Sequence, residues 1–147
     1  MSRPARTKVG KVALVTGAAR GLGFAYASRL ASEGATVIGV DRSPPGEFEA
    51  SMAREGAPKA EFHQIDVADE QQVRQCAAAI IDKHGRCDCI VNNAGVAPHI
   101  PFAELTLEQW RRTMSINVDS MFLICSAFVP NMIKLKYGRI VTLLPIH

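Results

Sequence analysis

Long apolar runs are absent from this sequence. A membrane-spanning helix needs about 18 uninterrupted apolar residues, and the densest stretch, residues 121–129, falls well short of that. A signal peptide is not indicated either, because the basic N-terminus is followed only by the short run Val12 to Val15, without a small-residue cleavage site. These absences favour a soluble protein in the cytoplasm, with no membrane partner.

Neither an excess of one charge nor a cysteine framework is present. The 17 basic and 14 acidic side chains give a net charge of +3 and are interspersed after the N-terminus, which gives no case for nucleic acid binding. The four cysteines form no pair of C-x-x-C motifs, so reduced thiols are expected. Cys87 and Cys89 are predicted to point to the same side of a strand, but zinc requires four ligands. We therefore predict ordinary packing and no metal.

Short apolar runs alternate with longer helical patterns along the chain. This alternation is typical of parallel strands joined by crossover helices and predicts an α/β fold. The length and the 48% hydrophobic content suit one domain, predicted over 10–147 after a flexible tail over 1–9. Strands are predicted near 11–16, 36–40, 61–65, 88–92 and 139–144.

The helical patterns differ in how they distribute their apolar residues. Asp69 is predicted to cap a helix that ends at His84 and carries one apolar stripe. A helix over 21–33 is predicted to pack through one face, and a weak helix is expected over 47–55; the face consists of Leu22, Ala25, Tyr26 and Leu30.

Residues 106–136 are too many for one straight helix, so a break is predicted at 115–117. The second part, 118–136, contains Pro130 and has little polar surface. This composition predicts burial on more than one side, by the sheet and by a partner chain. We therefore expect a homo- or hetero-oligomer formed through this helix.

Glycines crowd the junction between the first strand and the following helix. Gly17, Gly21 and Gly23 stand between the apolar run Val12 to Val15 and the amphipathic segment after it. Glycine lets the backbone approach a phosphate closely, and a helix N-terminus offers unpaired N–H groups to an anion. The junction therefore predicts a pyrophosphate-binding loop.

The Gly-x-x-x-Gly-x-Gly spacing resembles the N-terminal part of the short-chain dehydrogenase/reductase family, classical type. Further blocks stand in the order of that family: Asp66-Val67, Asn92-Asn93-Ala94-Gly95, Asn117 and Gly138-Arg139-Ile140-Val141. The resemblance implies a Rossmann-type doubly wound parallel sheet with strand order 3-2-1-4-5, truncated after the fifth strand. The 10–147 domain would then be an incomplete NAD(P)-binding domain.

The resemblance also implies roles for individual residues. The three glycines would shape the pyrophosphate turn, Asp66 would accept a hydrogen bond from the adenine amino group, and residues 93–95 would line the nicotinamide-side ribose. Asn92 and Thr16 are expected to be structural. The complete predicted cofactor-binding set is Gly17, Arg20, Gly21, Leu22, Gly23, Asp41, Arg42, Asp66, Val67, Asn93, Ala94 and Gly95.

The second strand ends at a carboxylate that bears on the choice of cofactor. Asp41 lies eighteen positions after Gly23, where an acid would bind the adenosine ribose hydroxyls of NAD and repel the extra phosphate of NADP. Arg20 and Arg42 act in the opposite direction, because guanidinium groups suit a phosphate. We predict that NAD is preferred and that NADP is possible.

The family's catalytic groups are largely missing from this sequence. Its tyrosine stands four residues before a lysine, whereas Tyr26 is followed there by Leu30 and Tyr137 by Val141. The family's serine position is Pro145, which has no donor. Only Asn117 matches a catalytic position, and a structural role is expected for it.

His147 is not expected to replace the missing catalytic acid, because a terminal residue lacks the supporting residues that fix catalytic geometry. The departure from the family's pattern over residues 142–147 is interpreted as a truncated product, an alternative reading frame or a partial gene sequence.

Three functions remain open from the sequence. The first is the NAD(P)-binding portion of an alcohol or ketone oxidoreductase. This portion would be inactive by itself, and only a full-length form would bind the alcohol or ketone substrate. The second is a catalytically dead nucleotide-binding or regulatory subunit that joins a full-length relative through the fifth strand and the apolar helix. The third is a methyltransferase that binds S-adenosylmethionine on a similar sheet.

Overall fold

A computed structural model describes residues 6–143. The strands are β1 (Val12–Thr16), β2 (Thr36–Asp41), β3 (Ala60–Gln64), β4 (Cys89–Asn92) and β5 (Arg139–Thr142). The helices are α1 (Gly21–Ser32), α2 (Phe48–Glu55), α3 (Glu70–His84), α4 (Leu107–Met114) and α5 (Ser120–Leu135). A 3-10 turn, Phe102–Glu104, precedes α4, and a π-helical segment, Ser115–Asp119, joins α4 to α5. The predicted alternation is confirmed, and the predicted break near 115–117 is a π-helical segment within a continuous helical stretch.

The five strands form one parallel sheet in the order β3-β2-β1-β4-β5. This order confirms the predicted Rossmann-type topology. Strand β1 pairs with β2 on one side and with β4 on the other, so the chain reverses its direction of winding beside β1. Ligands of open α/β sheets bind at this switch point, outside the carboxyl ends of the strands.

Each face of the sheet has its own apolar core. On one face, α3 and α5 bury Val73, Ile80, Ile124 and Phe128 against alternate strand residues. On the other face, α1 and α2 bury Ala27, Ala31, Phe48 and Met52 against the remaining strand positions. The helix α3 begins as predicted, with the Asp69 carboxylate accepting from the Gln72 N–H at 3.0 Å.

The predicted packing face of α1 is wrong in part. Leu22 is 66% exposed and Ala25 is also exposed, whereas Gly23, Ala27 and Ala31 are buried at a spacing of four residues. Small side chains let this helix lie close to the strands, a close approach that a large residue would prevent. Tyr26 and Leu30 do pack against this core, so the predicted face is wrong only at Leu22 and Ala25.

The predicted arrangement of Cys87 and Cys89 is also wrong. Strand β4 begins at Cys89, so residue 87 precedes the pleat and the alternation rule does not apply to it. Cys87 packs in the core under α3 and α5, while Cys89 packs against the opposite core. Burial raises the pKa of the Cys87 thiol to about 12, which keeps it protonated.

Residues 6–9 of the predicted tail belong to the described part of the chain. Thr7 donates from its N–H and from its hydroxyl to Glu33 Oε2, at 3.0 and 2.9 Å, and Lys8 N–H donates to the Glu33 carbonyl. Residues 7 and 8 are thus hydrogen-bonded to the end of α1. The tail boundary itself stays a prediction.

The stretch Leu107–Leu135 is helical throughout and is long and apolar enough to cross a membrane by length and composition. The core helix of a soluble protein passes the same test. Here the buried stripe of α5, at Ser120, Ile124, Phe128 and Met132, packs on the sheet, which explains part of its apolar character. The predicted second buried side is exposed in the single chain, with Phe122 and Ile133 each 71% exposed.

Candidate cofactor-binding site

A cavity of about 380 Å³ lies at the switch point, beyond the carboxyl ends of the strands. Ten of the predicted cofactor-binding residues line it: Gly17, Arg20, Gly21, Asp41, Arg42, Asp66, Val67, Asn93, Ala94 and Gly95. Two predicted residues do not line it. Leu22 faces solvent and Gly23 is buried beneath the loop. The topology therefore brings together most of a set that is scattered over almost eighty positions of the sequence.

The glycines of the loop after β1 have two different physical roles. Gly17 and Gly21 have φ angles of +67° and +61°, which side-chain-bearing residues rarely adopt. Gly23 needs space instead, because a Cβ there would overlap the Gly17 carbonyl and lie 2.6 Å from Asn93 Nδ2. The loop can thus turn sharply while α1 begins close to β4.

The N-terminus of α1 differs from those of α3 and α4. Asp69 caps α3, Thr106 caps α4 through a capping box, and each helix has an acidic residue in its first turn. In α1 the N-cap residue Arg20 makes no capping bond, and the first turn contains no acid. The positive end of α1 therefore borders the cavity without a capping side chain and without an acid in its first turn, which suits an anionic ligand.

Asp41 ends β2 with both carboxylate oxygens engaged. Oδ2 accepts from Ala19 N–H and Oδ1 from Ser43 N–H, each at 3.0 Å. These bonds fix the carboxylate between the glycine loop and the turn after β2. Arg20 and Arg42 line the same cavity, so its charge is mixed at this end.

Asp66 is held by contacts from two directions. Its Oδ1 accepts from Ala68 N–H at 2.9 Å, and its Oδ2 accepts from Arg112 Nη2 at 2.8 Å. Burial by itself would raise the pKa of Asp66, but these bonds and the charges of Arg112 and Arg42 outweigh it and lower that pKa. The carboxylate is therefore ionised and fixed at the cavity wall.

The end of β4 is tied to the end of β1 by one hydroxyl. Thr16 Oγ1 accepts from the N–H groups of Asn93 and Ala94, both at 3.0 Å, and Asn93 Nδ2 donates to the Thr16 carbonyl at 3.2 Å. Asn92 Nδ2 donates to Thr142 Oγ1 at 3.3 Å and so joins β4 to β5. The structural roles expected for Thr16 and Asn92 agree with these contacts.

Asn117 lies in the π-helical segment, and its side chain forms two hydrogen bonds with the loop after β4. Its Oδ1 accepts from Val96 N–H and its Nδ2 donates to the Val96 carbonyl, both at 2.8 Å. This pair of bonds positions the rim of the cavity, where Val96 and Ile116 are lining residues. A direct catalytic role for Asn117 stays a prediction, whereas its structural contacts are evident.

Five lining residues escaped the sequence reasoning: Ser43, Ile65, Val96, Arg112 and Ile116. The first three adjoin predicted residues, so extending each motif by one position would have included them. Arg112 and Ile116 reach the cavity from α4 and the π-helical segment. No local pattern in the sequence marks them, because their partners lie far away along the chain.

The fold and the cavity define a Rossmann-type dinucleotide-binding protein. Its sheet order, its glycine loop and the acid at the end of β2 occupy the positions typical of that class. A family profile described as short chain dehydrogenase matches residues 11–144. The chain belongs to the short-chain dehydrogenase family.

Individual relatives support the assignment. D-threitol dehydrogenase of Mycolicibacterium smegmatis is 42% identical over 136 residues, which cover 91% of this chain and 52% of that protein. An NAD⁺-bound xylitol dehydrogenase structure is similar with a TM-score of 0.87 and 33% identity, covering 92% of this chain and 53% of its own. A metagenomic short-chain oxidoreductase in complex with NADP has a TM-score of 0.86 and 35% identity, covering 91% and 61%.

The chain spans about half the length of the curated relatives it matches. No Tyr-x-x-x-Lys motif occurs in its 147 residues. Pro145 and His147, which the sequence analysis singled out, lie outside the described residues.

Proposed function

We propose that this chain is the nucleotide-binding portion of a short-chain oxidoreductase and binds a nicotinamide dinucleotide. The observation that carries the proposal is the glycine loop at the uncapped N-terminus of α1, facing a cavity that also presents Asp41 and Asp66. The loop and helix end would hold the pyrophosphate, and the two carboxylates would hold the adenosine hydroxyls and the adenine amino group. Similar structures hold NAD or NADP, which supports this cofactor class.

NAD is the preferred cofactor in this proposal. The Asp41 carboxylate is fixed by Ala19 and Ser43, so it cannot easily retreat from a phosphate placed beside it. Repulsion of like charges at such a site costs on the order of several kcal/mol. Arg20 and Arg42 border the cavity and would offset part of that cost, which keeps NADP possible.

The reaction class follows from the cofactor, which supplies or accepts a hydride when bound. A carbonyl that receives hydride also needs a proton, and a tyrosine of ordinary pKa near about 10 is poorly suited to provide it without a neighbouring cation. These 147 residues lack the tyrosine–lysine pair. We therefore propose that the chain binds cofactor without turning over an alcohol or ketone, and that a full-length form would meet such a substrate.

Calorimetry and an activity assay on one sample test this proposal. Titration with NADH is expected to give binding, NADPH weaker binding, and S-adenosylmethionine none. Asp41→Ala should reduce the preference for NADH by about tenfold or more, with Asp82→Ala on α3 as a control away from the cavity. Absence of heat with both coenzymes, on folded protein, would contradict the proposal, and alcohol oxidation at family-like rates would contradict the predicted inactivity.

A regulatory subunit is the second candidate, and one observation favours it. All four residues of β5 are exposed, and helices α4 and α5 also expose large apolar side chains, including Trp110, Phe122 and Ile133. Such a surface suits self-association or pairing with a full-length relative in the cytoplasm. Sedimentation of the chain alone and with such a relative tests it; a single monomeric species in both cases would contradict it.

A further inference from the structure

Helix α4 is not anchored by buried side chains of its own. None of its eight residues is buried, and it is continuous with α5 through the π-helical segment. The side-chain hydrogen bonds of Thr106, Gln109 and Thr113 stay within the helix and its cap. Arg112, in contrast, reaches Asp66, 46 positions earlier in the chain.

The Arg112–Asp66 pair lies at the wall of the nucleotide cavity. Both residues line it, and Arg112 Nη2 donates to Asp66 Oδ2 at 2.8 Å. Asp66 is also fixed through its backbone, because its N–H donates to Gln72 Oε1 at 2.9 Å. A ligand that bonds to this carboxylate therefore meets a group whose orientation Arg112 helps to set.

We propose that Arg112 is a positioning residue that couples occupancy of the nucleotide cavity to docking of helix α4 against the loop after β3, which contains Asp66. This proposal rests on the proposed function. The ion pair prepares Asp66 for the adenine end of the cofactor, and a bound cofactor in turn confines Asp66 and hence Arg112. Such coupling is reciprocal, so the ligand should hold α4 by the same factor by which α4 docking improves ligand binding.

The coupling would carry a signal from the cavity to an exposed surface. Trp110 lies on α4 two residues before Arg112 and is 48% exposed, and Leu107 on the same helix is 61% exposed. Docking of α4 therefore fixes the position of apolar side chains that a partner could contact. Trp110 is also the one tryptophan of the sequence, so its fluorescence reports on α4 alone.

The test uses the full chain with Arg112→Ala, Arg112→Lys and the control Arg111→Ala. Arg111 is an exposed arginine on the same helix, so its removal matches the loss of charge and of side-chain length. ADP-ribose is the probe, because it contains the adenine end and does not quench tryptophan by energy transfer as NADH does. Affinity is measured by calorimetry, α4 docking by hydrogen exchange of residues 107–114, and its environment by Trp110 fluorescence.

Arg112→Ala is expected to weaken ADP-ribose binding about tenfold, with partial rescue in Arg112→Lys and less than a twofold change in Arg111→Ala. ADP-ribose should slow exchange in 107–114 of the wild type and of Arg111→Ala but not of Arg112→Ala. In an Asp66→Asn background the further change Arg112→Ala should add no loss, because the arginine acts through that carboxylate. Removing the arginine should also raise the pKa of Asp66, so that binding fails at a higher pH on acidification.

Equal affinity and equal α4 protection in wild type and Arg112→Ala would overturn the coupling while leaving the proposed function intact. Additive losses in the Asp66→Asn background would also overturn it. A wild type that gives no heat with ADP-ribose, NAD⁺ or NADP⁺ would instead overturn the proposed function, and the coupling with it. The two failures are therefore distinguished by the wild-type titration.

Discussion

Strands β1 and β5 belong to one parallel sheet and have opposite surroundings. All five residues of β1 are buried, and all four residues of β5 are exposed. β1 lies between two neighbouring strands with helices on both faces, whereas β5 has one neighbouring strand within residues 6–143. The region around β1, here called the cavity half, is thus enclosed by packed helices beneath the cofactor cavity. The region around β5 and the outer face of α5, here called the open half, exposes apolar side chains.

The largest expected effect is on the free energy of unfolding, and it compares two apolar side chains at the same level of the sheet. Leu14 on β1 and Ile140 on β5 are both in register with Ile90, but Leu14 is fully buried and Ile140 is 44% exposed. Leu14→Ala should lower the free energy of unfolding by about 3 kcal/mol because it leaves a cavity. Ile140→Ala should cost about 1 kcal/mol or less. Urea denaturation measures both, and equal losses would show that β5 is covered in solution.

A second test concerns the close approach in the cavity half. Gly23→Ala places a Cβ against the Gly17 carbonyl and Asn93, so the glycine loop must shift. We expect NAD⁺ affinity to fall at least tenfold, about 1.4 kcal/mol, with a loss of stability of about 1–2 kcal/mol. Ala25→Val, which adds carbon on the exposed side of the same helix, should change neither by much. Unchanged calorimetric affinity in Gly23→Ala would contradict the described loop geometry.

A third test addresses the open half. Phe122 is 71% exposed on α5, so Phe122→Glu should leave the unfolding free energy of a monomer nearly unchanged. If the open surface mediates self-association, the same change should weaken it about tenfold or more, because a charge would be buried at the interface. Sedimentation velocity over a concentration series measures this. Gln75→Glu, at an exposed position of α3, is the control, and identical association of the two variants would argue against this surface.

The smallest expected effect concerns the pH dependence of stability at β3, the edge strand opposite β5. On β3, Glu61 accepts from Lys83 Nζ at 2.6 Å and lies 3.1 Å from His63 Nε2 and 3.2 Å from His84 Nε2. Burial would raise the pKa of Glu61, but these partners outweigh it and lower the pKa to about 2. A lowered pKa in the folded state means that the stabilisation is present above about pH 4.5 and is lost as the pH falls toward about 2.

Glu61→Gln should therefore reduce stability at neutral pH by about 1 kcal/mol, a modest value because Lys83 is largely exposed. It should also flatten the dependence of the unfolding free energy between those two pH values. Glu70→Gln, at an exposed ion pair on α3, serves as the control. If the unfolding free energy of Glu61→Gln fell with acidification as steeply as that of the wild type, the Glu61 ion pairs would not stabilise this edge.

Much of the fold and much of the site could be predicted because their signals are local. The strand and helix order, the cap at Asp69 and the break at 115–117 follow from periodicity and from residues close together in sequence. Most of the cavity lining is implied by the resemblance to the short-chain dehydrogenase/reductase family, whose motifs stand near the carboxyl ends of strands, and a parallel sheet brings those ends to one edge. The predicted α1 face is wrong in part, because its fully buried positions are occupied by small residues rather than large apolar ones.

The sequence by itself determined the alternating elements, the glycine loop and the acids at the ends of β2 and β3, because each depends on neighbours a few residues away. Only the tertiary structure decided that Arg112 meets Asp66, that Cys87 and Cys89 enter different cores, and that β1 is covered while β5 is open. The physical reason is that ion pairs, close helix contacts and burial depend on distances in space. Those distances are set by how the elements pack, and no pattern along the chain records them.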